Sequence, residues 1–155
     1  LFPYSLNTMR KIELKVTHTN GTYPKPPEYA TVGSAGLDLV SLEEKTLLPN
    51  ESHKFDIGLA IYLGDTEICG LICPRSGLAS KGITLKNTVG IIDADYQGSL
   101  IVNLVNNSEE EYTVAKGDRI AQLVILPIIN VMWTPVLEFS GITKRSMGGF
   151  GSTGK

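Results

Sequence analysis

Short apolar runs, separated by turn-forming residues, recur along the whole chain. Residues 12–16 alternate strictly between apolar and charged side chains, which is typical of a half-buried strand. Further runs rich in β-branched and apolar residues follow every 8–12 residues or so, with Gly, Asn, Asp or Pro between them. They span 37–40, 55–63, 68–73, 88–92, 100–105 and 120–129. This spacing predicts an all-β sandwich or barrel.

Helical periodicity is nearly absent from the sequence. We expect about a turn and a half of helix at 76–81, ended by Gly82. Pro127 closes a long apolar run and predicts an edge or a bend, and Trp133 is expected in the core. Residues 138–155 follow neither period and are rich in glycine, so they predict a flexible C-terminal arm.

Length and composition indicate one soluble globular domain. The chain has 155 residues, of which 42% are hydrophobic and 19% charged. We place the β domain at 9–137 and expect 1–8, which precede Met9, to be a leader or a cloning remnant. The net charge of −2 predicts no broad basic face for nucleic acid. Cations that bind an anionic ligand must therefore be few and local.

The two cysteines, Cys69 and Cys73, are too few for a disulfide scaffold and lack the spacing of a common zinc knuckle. Strand periodicity places them on one face, and we expect both thiols to be buried. A reducing compartment fits this usage. No apolar run reaches the roughly 18 residues of a membrane span, and 1–8 lacks the pattern of a signal peptide. We expect a cytoplasmic protein, or a nuclear one in a eukaryote or virus, that is not secreted.

Three segments carry candidate chemistry, and the first is 74–79. A strand ends at a proline, and Arg75, Ser76 and Gly77 stand at the expected start of the short helix. Backbone N–H groups, a guanidinium and a hydroxyl together suit a phosphate. The alternative is a helix N-cap with an exposed arginine.

The second segment, 90–98, combines two apolar runs with a turn rich in Asp and Gly, which predicts a β-hairpin. Asp93 and Asp95 stand two residues apart and are expected to share a face. A carboxylate held there could deprotonate water, and two could hold a metal. The alternative is ordinary turn chemistry, which also favours aspartate.

The third segment, 149–155, nearly spells a Walker A loop. That assignment fails because no Ser or Thr follows the lysine, and the strand and helix that flank such a loop are not predicted. Glycines and hydroxyls could still wrap a phosphate with backbone N–H groups.

Five segments in order resemble the motifs of the trimeric dUTP diphosphatase family, over about residue 34 to the last residue. They are AGLDL at 35–39, PRSGLA at 74–79, GIIDADYQG at 90–98, GDRIAQ at 117–122, and 145–154. The resemblance implies a β jelly roll (a distorted barrel) and a homotrimer with shared sites. It also implies hydrolysis of dUTP to dUMP and pyrophosphate with Mg²⁺.

The resemblance also implies roles for individual residues. Asp93 matches the general base that activates water to attack the α-phosphorus, and Tyr96 matches the aromatic floor under the deoxyribose. Asp38 matches the acid linked to magnesium through water. Asn87 and Gly90 match residues that bind uracil. Arg75, Ser76 and Gly77 match phosphate-binding residues that a neighbouring subunit contributes, and Gln122 matches a further phosphate contact. In the arm, Phe150 matches a residue over the base, and the matches to residues on the γ-phosphate are Arg145, Gly151, Ser152 and Thr153.

One departure and two alternatives accompany this resemblance. The family arm usually begins Arg-Gly, whereas this chain has Arg145-Ser146, which removes one flexible position. A dCTP deaminase of the same fold needs a glutamate five residues after the Gly98 position, where this chain has Asn103. A regulatory binding protein on this fold is the second alternative.

Overall fold

The computed structural model describes residues 9–21 and 23–148. These residues form ten strands and one short helix, which confirms the all-β prediction. No helix in these two ranges is long and apolar enough to cross a membrane. The elements are β1 (Glu13–Val16), β2 (Leu37–Val40), β3 (Lys45–Leu47), β4 (Ser52–Tyr62), β5 (Ile68–Cys73), α1 (Ser76–Ala79), β6 (Ile83–Leu85), β7 (Gly90–Ile92), β8 (Ser99–Asn106), β9 (Tyr112–Val114) and β10 (Arg119–Pro127).

Two four-stranded antiparallel sheets and a two-stranded ribbon make up the fold. One sheet has the order β1-β4-β8-β6, the other has the order β2-β10-β5-β7, and the ribbon is β3-β9. Strands that are neighbours in sequence rarely pair, so the chain passes repeatedly from one sheet to the other. This is the jelly-roll architecture expected from the sequence.

One hydrophobic cluster joins the two sheets. Strand β4 places Phe55, Ile57, Leu59 and Ile61 in the cluster, and every residue from 57 to 61 is buried. Strand β8, its partner, supplies residues at the same two-residue period. The remaining members come from every other strand except β1, and they include Leu39, Leu47, Ile72, Ile83, Ile92, Val114, Ile120 and Leu123.

The predicted hairpin over 90–98 is wrong. Strand β7 pairs with β5, whereas β8 pairs with β4 and β6, so the two flanking strands lie in different sheets. The segment 93–98 is therefore a link between sheets and not the turn of a hairpin. Because β7 ends at Ile92, the strand alternation that would give Asp93 and Asp95 a common face does not reach them.

The cysteines share a face of β5, as predicted, but the expectation that they are buried is wrong. The core side of β5 is taken by Ile68, Gly70 and Ile72. Cys69 and Cys73 point to the opposite side, where each is a half-buried free thiol. The sequence shows that the two faces differ but not which of them faces the core.

Trp133 is also placed differently from the expectation, because 86% of its surface is exposed. Strand β10 ends at Pro127, in agreement with the predicted edge or bend. Beyond it, no described residue belongs to a strand or helix. The domain boundary at 137 stays a prediction. The exposed apolar side chains of this segment are Ile128, Ile129, Val131, Met132, Trp133, Val136, Leu137, Phe139, Ile142 and Met147.

A buried asparagine closes the end of the sandwich where β8 stops. Asn106 has no exposed surface. Its Nδ2 donates to the carbonyl oxygens of Leu47 (3.0 Å) and Glu110 (2.7 Å), and its Oδ1 accepts from the backbone N–H and hydroxyl of Ser108. These bonds tie β3 and the 107–111 turn to the core strand.

We expect Asn106→Ala to lower the free energy of unfolding by about 2–4 kcal/mol, because buried carbonyl groups would lose their donors. Urea unfolding at matched protein concentration measures this, with Asn107→Ala as the control, since Asn107 is exposed. Equal effects of the two substitutions would contradict the assigned role.

Candidate active site

A cleft of about 340 Å³ opens where β2, β5 and β10 meet. It collects five of the residues that the sequence analysis assigned to phosphate or metal. Those residues are Asp38, Arg75, Ser76, Gly77 and Gln122, and the rest of the lining is Ala30, Ser34, Ala35, Gly36 and Arg119.

Asp38 holds two arginines at the floor of this cleft. Its Oδ1 lies 3.1 Å from Nε of Arg75, and its Oδ2 lies 3.2 Å from Nη1 of Arg119. Arg75 also donates from Nη1 to the carbonyl oxygen of Arg119 at 3.2 Å. The side chains of Asp38 and Arg75 are 20% and 30% exposed, so this charge cluster is partly shielded from water. Two cations against one anion leave the cleft locally positive, which favours an anionic ligand.

Arg119 is the functional candidate that sequence reasoning missed. The pairing of β10 with β2 shifts register between Arg119 and Ala121, so a bulge interrupts strand alternation there. Ile120 and Ala121 are both buried as a result, and Arg119 turns outward to Asp38. The available signal was its position inside the GDRIAQ segment.

Backbone and amide contacts fix the other side of the cleft. Gln122 donates from Nε2 to the carbonyl oxygen of Pro74 at 3.0 Å. Its side chain packs on Gly36, where an added Cβ would come within 3.1 Å of the Gln122 Cβ. Ser76 and Gly77 are exposed in the first turn of α1, which ends at Ala79 and not at residue 81.

The alternative interpretation of 74–79, a helix N-cap with an exposed arginine, describes Arg75 only in part. Arg75 does occupy the N-cap position of α1, with extended backbone and no side-chain capping bond. Its guanidinium, however, is held by Asp38 and faces the cleft.

A second group of predicted site residues lies around β7. Asn87 begins a tight turn in which Thr88 has a φ of +66° and the N–H of Val89 donates to the Asn87 carbonyl oxygen at 2.7 Å. A Cβ built on Gly90 would lie 3.5 Å from Nδ2 of Asn87. The structure therefore brings Asn87 and Gly90 together in one turn.

Asp93 and Tyr96 follow directly after β7. The Tyr96 N–H donates to the Asp93 carbonyl oxygen at 3.1 Å, and its hydroxyl donates to the Ser99 carbonyl oxygen at 2.9 Å. A Cβ on Gly98 would lie 2.6 Å from Cζ of Tyr96, so the ring needs glycine there. Asp93 is exposed, and its carboxylate accepts no hydrogen bond from residues 9–21 or 23–148.

These two groups lie apart within one chain. Ile92 pairs with Gly70 near the start of β5, whereas Arg75 follows the end of the same strand. From Gly70 to Arg75 the chain advances five residues, three of them in β5, which is up to about 17 Å of extended chain. Accordingly, Asn87, Gly90, Asp93 and Tyr96 do not line the cleft.

Arg145 lies in a local turn of the C-terminal segment. Its Nε donates to the Gly148 carbonyl oxygen at 2.9 Å. Ser146, at the position of departure from the family pattern, has a φ of +44°, a conformation that favours glycine. The predicted contacts of Phe150, Gly151, Ser152 and Thr153 lie outside the described residues.

The cleft fits a magnesium ion that is held mainly by waters and phosphate oxygens. Among residues 9–21 and 23–148, no three His, Cys, Asp or Glu side chains form a cluster that could cage a metal. Magnesium in nucleotide sites is commonly held by one or two carboxylates, waters and phosphate oxygens. Asp38 Oδ2 accepts a hydrogen bond from Arg119, and Oδ1 forms an ion pair with Arg75, which leaves lone pairs of the carboxylate for a bridging water. The donor set thus fits a metal that arrives with its nucleotide.

Known proteins of one family are similar to this chain. A family model described as dUTPase matches residues 22–154. A deoxyuridine 5′-triphosphate nucleotidohydrolase of Coxiella burnetii is 52% identical over 132 residues, covering 83% of this chain and 86% of the relative. One from Histophilus somni is 46% identical over 151 residues, covering 95% and 99%.

The solved structures that resemble this chain include dUTPases of bacteriophages. The dUTPase of Staphylococcus bacteriophage 80alpha with dUPNHPP matches with a TM-score of 0.86 and 29% identity, covering 95% of this chain and all of that chain. A dUTPase from phage phi11 of S. aureus, described as coordinating a structural Mg(II) ion, matches with a TM-score of 0.76 and 26% identity, covering 84% and 99%. Since the family model spans most of the sequence and these relatives cover nearly all of it, the chain belongs to the dUTPase family of nucleotide hydrolases.

Proposed function

We propose that this dUTPase cleaves dUTP to dUMP and pyrophosphate by directing water, activated by Asp93, onto the α-phosphorus. The observation that supports the proposal best is the free, exposed carboxylate of Asp93 three residues before the Tyr96 ring. A base must be close to the sugar and α-phosphate and have an open lone pair for the proton of water. Asp93 meets the second condition, and its neighbour Tyr96 supplies a flat surface for the sugar.

The positive cleft would bind the triphosphate. Attack on phosphorus places charge on the equatorial oxygens and then on the leaving pyrophosphate, so fixed cations lower the barrier. Arg75 and Arg119 are held in place by Asp38 before any ligand arrives. Little reorganisation is then needed when the phosphates bind. Arg145, from the C-terminal segment, would add a further cation.

Magnesium is the cofactor that the family and the donor set favour. When bound, it would neutralise charge on the phosphate oxygens and favour departure of pyrophosphate. Asp38 would hold it through water, as its free lone pairs allow. The residues of this chain would still do the positioning: Asp38 orients the arginines, and Gln122 holds the cleft wall to Pro74.

The enzyme would act as a homotrimer with sites shared between subunits. The α-phosphate has to be close both to Asp93 and to the arginine cleft, yet in one chain these two groups lie toward opposite ends of β5. A second copy that presents its cleft to Asp93 resolves this conflict. The same assembly offers cover for the exposed apolar side chains after Pro127.

Selection among nucleotides would follow from the two groups around β7. The Asn87–Gly90 turn would read the uracil edge and leave no space for a 5-methyl group. Tyr96 would lie against the deoxyribose and exclude a 2′-hydroxyl. Neither a deaminase nor a regulatory binding protein gains support from the comparisons. Product identification with dUTP, dCTP, dTTP and UTP separates these possibilities, since a deaminase would release ammonia from dCTP.

Asp93→Asn should lower kcat by about 10²–10⁴-fold while dUTP still binds, because only proton acceptance is lost. Pyrophosphate release measures kcat, and calorimetric titration with a non-hydrolysable dUTP analogue measures binding. Asp95→Asn is the matched control, since Asp95 is an exposed carboxylate in the same link. Unchanged turnover in Asp93→Asn would remove the assigned base.

Removal of residues 145–155 should lower kcat/KM by about 10²-fold, because one guanidinium and the remaining arm groups leave the phosphates. The thermal midpoint and the oligomer mass should stay unchanged, since no described residue after Pro127 belongs to the sheets. A truncated enzyme as fast as the full chain would contradict the role of the arm.

Light scattering should give a mass near three times the 16.8 kDa of the chain. Mixing inactive Asp93→Asn chains with inactive Arg75→Ala chains should restore part of the activity, because a shared site takes the two groups from different subunits. A stable monomer with full activity would rule out the shared site.

A further inference from the structure

A cluster of polar side chains outside the cleft bridges an irregular place in the sheet. In the pairing of β4 with β8, Asp56 lies opposite Ile101 and Ala60 lies opposite Ser99. Three residues of β4 between these pairs therefore face a single residue of β8. Gly58, in the middle of this bulge, has a φ of +72°. A bulge of this kind interrupts the ladder of backbone hydrogen bonds.

The side chain of Asp56 spans this interruption. Its Oδ1 accepts a hydrogen bond from the N–H of Gly58 at 2.8 Å and another from the hydroxyl of Ser99. The Ser99 hydroxyl also lies 2.9 Å from the hydroxyl of Thr17. His18 adds a ring nitrogen 3.6 Å from the same carboxylate oxygen. The first residue of β8 is therefore anchored by its side chain as well as by its backbone.

Ser99 also touches the proposed site through its backbone. Its carbonyl oxygen accepts the hydrogen bond from the Tyr96 hydroxyl at 2.9 Å. A continuous chain of contacts thus runs from the β4 bulge through Asp56 and Ser99 to the ring of Tyr96. The ring also packs directly on Gly98.

From this geometry we infer that Asp56 and Ser99 are positioning residues that set the Tyr96 ring and so determine discrimination against ribonucleotides. The inference rests on the proposed function, in which Tyr96 lies under the sugar. Neither residue needs to touch the nucleotide. The bulge makes their bond necessary, because the regular ladder that would fix the start of β8 is broken beside it. A ring that shifts by a fraction of an ångström would leave space for the 2′-hydroxyl.

The test compares kcat/KM for dUTP and UTP in wild-type enzyme, Ser99→Ala and Tyr96→Phe. Each substitution breaks the same chain at one point, and each should raise the ratio of UTP to dUTP turnover by about tenfold, the scale of one net hydrogen bond. KM for dUTP should rise more than kcat falls, since Asp93 is untouched. Ser99→Thr, which keeps the hydroxyl, should retain the wild-type ratio.

The double substitution provides the sharpest measurement. If Ser99 acts through Tyr96, the combined variant should show about the same tenfold change as either alone, and not their product. Thr46→Val is the matched control, because it removes a hydroxyl that bonds to Thr113 at 2.8 Å in the β3-β9 ribbon, away from Tyr96. It should leave both rates unchanged.

The outcomes separate this inference from the proposed function. Wild-type protein that releases no pyrophosphate from dUTP would defeat the proposed function itself. Active wild type with an unaltered ratio in Ser99→Ala, or multiplicative effects in the double variant, would overturn only the role of Asp56 and Ser99. Asp56→Ala is a supporting variant, since it also releases the Gly58 N–H and is expected to lower stability.

Discussion

The antiparallel pairing of β5 with β7 determines how this enzyme can work. It places Asp93 beside the start of β5 and Arg75 beyond its end. Strand β5 has a hydrogen-bonded neighbour on each side, so no loop movement can bring the two groups together without breaking the sheet. The separation of Asp93 from the arginine cleft is thus a property of the topology. In the proposed mechanism, sharing of sites between subunits is the simplest way to bring the two groups together.

Within the cleft, the carboxylate of Asp38 has two roles in the proposed mechanism. It neutralises part of the charge of Arg75 and Arg119, and it would also hold magnesium through water. These two roles are compatible because the hydrogen bond from Arg119 and the ion pair with Arg75 leave lone pairs of the carboxylate open to water. The ion pairs fix the direction of both guanidinium groups before the phosphates arrive, which is worth more to binding than two mobile cations. The bulge in β10 matters here, since it is what turns Arg119 toward Asp38.

Local sequence patterns predicted much of the fold and of the cleft. The features that they missed depend on contacts between residues that are distant in sequence. Apolar runs and alternation located seven of the ten described strands and missed β3, β6 and β9, which have only three residues each. The motif segments include most of the residues that line the cleft. The hairpin expectation for 90–98 was wrong because sequence adjacency cannot reveal that β7 and β8 pair in different sheets. Arg119 was missed because a bulge reverses the face that alternation assigns. The bond between Asp56 and Ser99 joins residues 43 positions apart, beyond the reach of any local signal.

Assembly and catalysis depend on each other in this fold. After Pro127 the chain presents Trp133, Leu137 and other apolar side chains with most of their surface exposed. Patches of this kind mark surfaces that another chain covers. A separated subunit would therefore carry a hydrophobic surface in water and would hold Asp93 away from the arginine cleft. In the proposed trimer, contacts that cover that surface would also bring the cleft of one copy to the Asp93 of another. Loss of the assembly should remove solubility and activity together, since both arise from the same contacts.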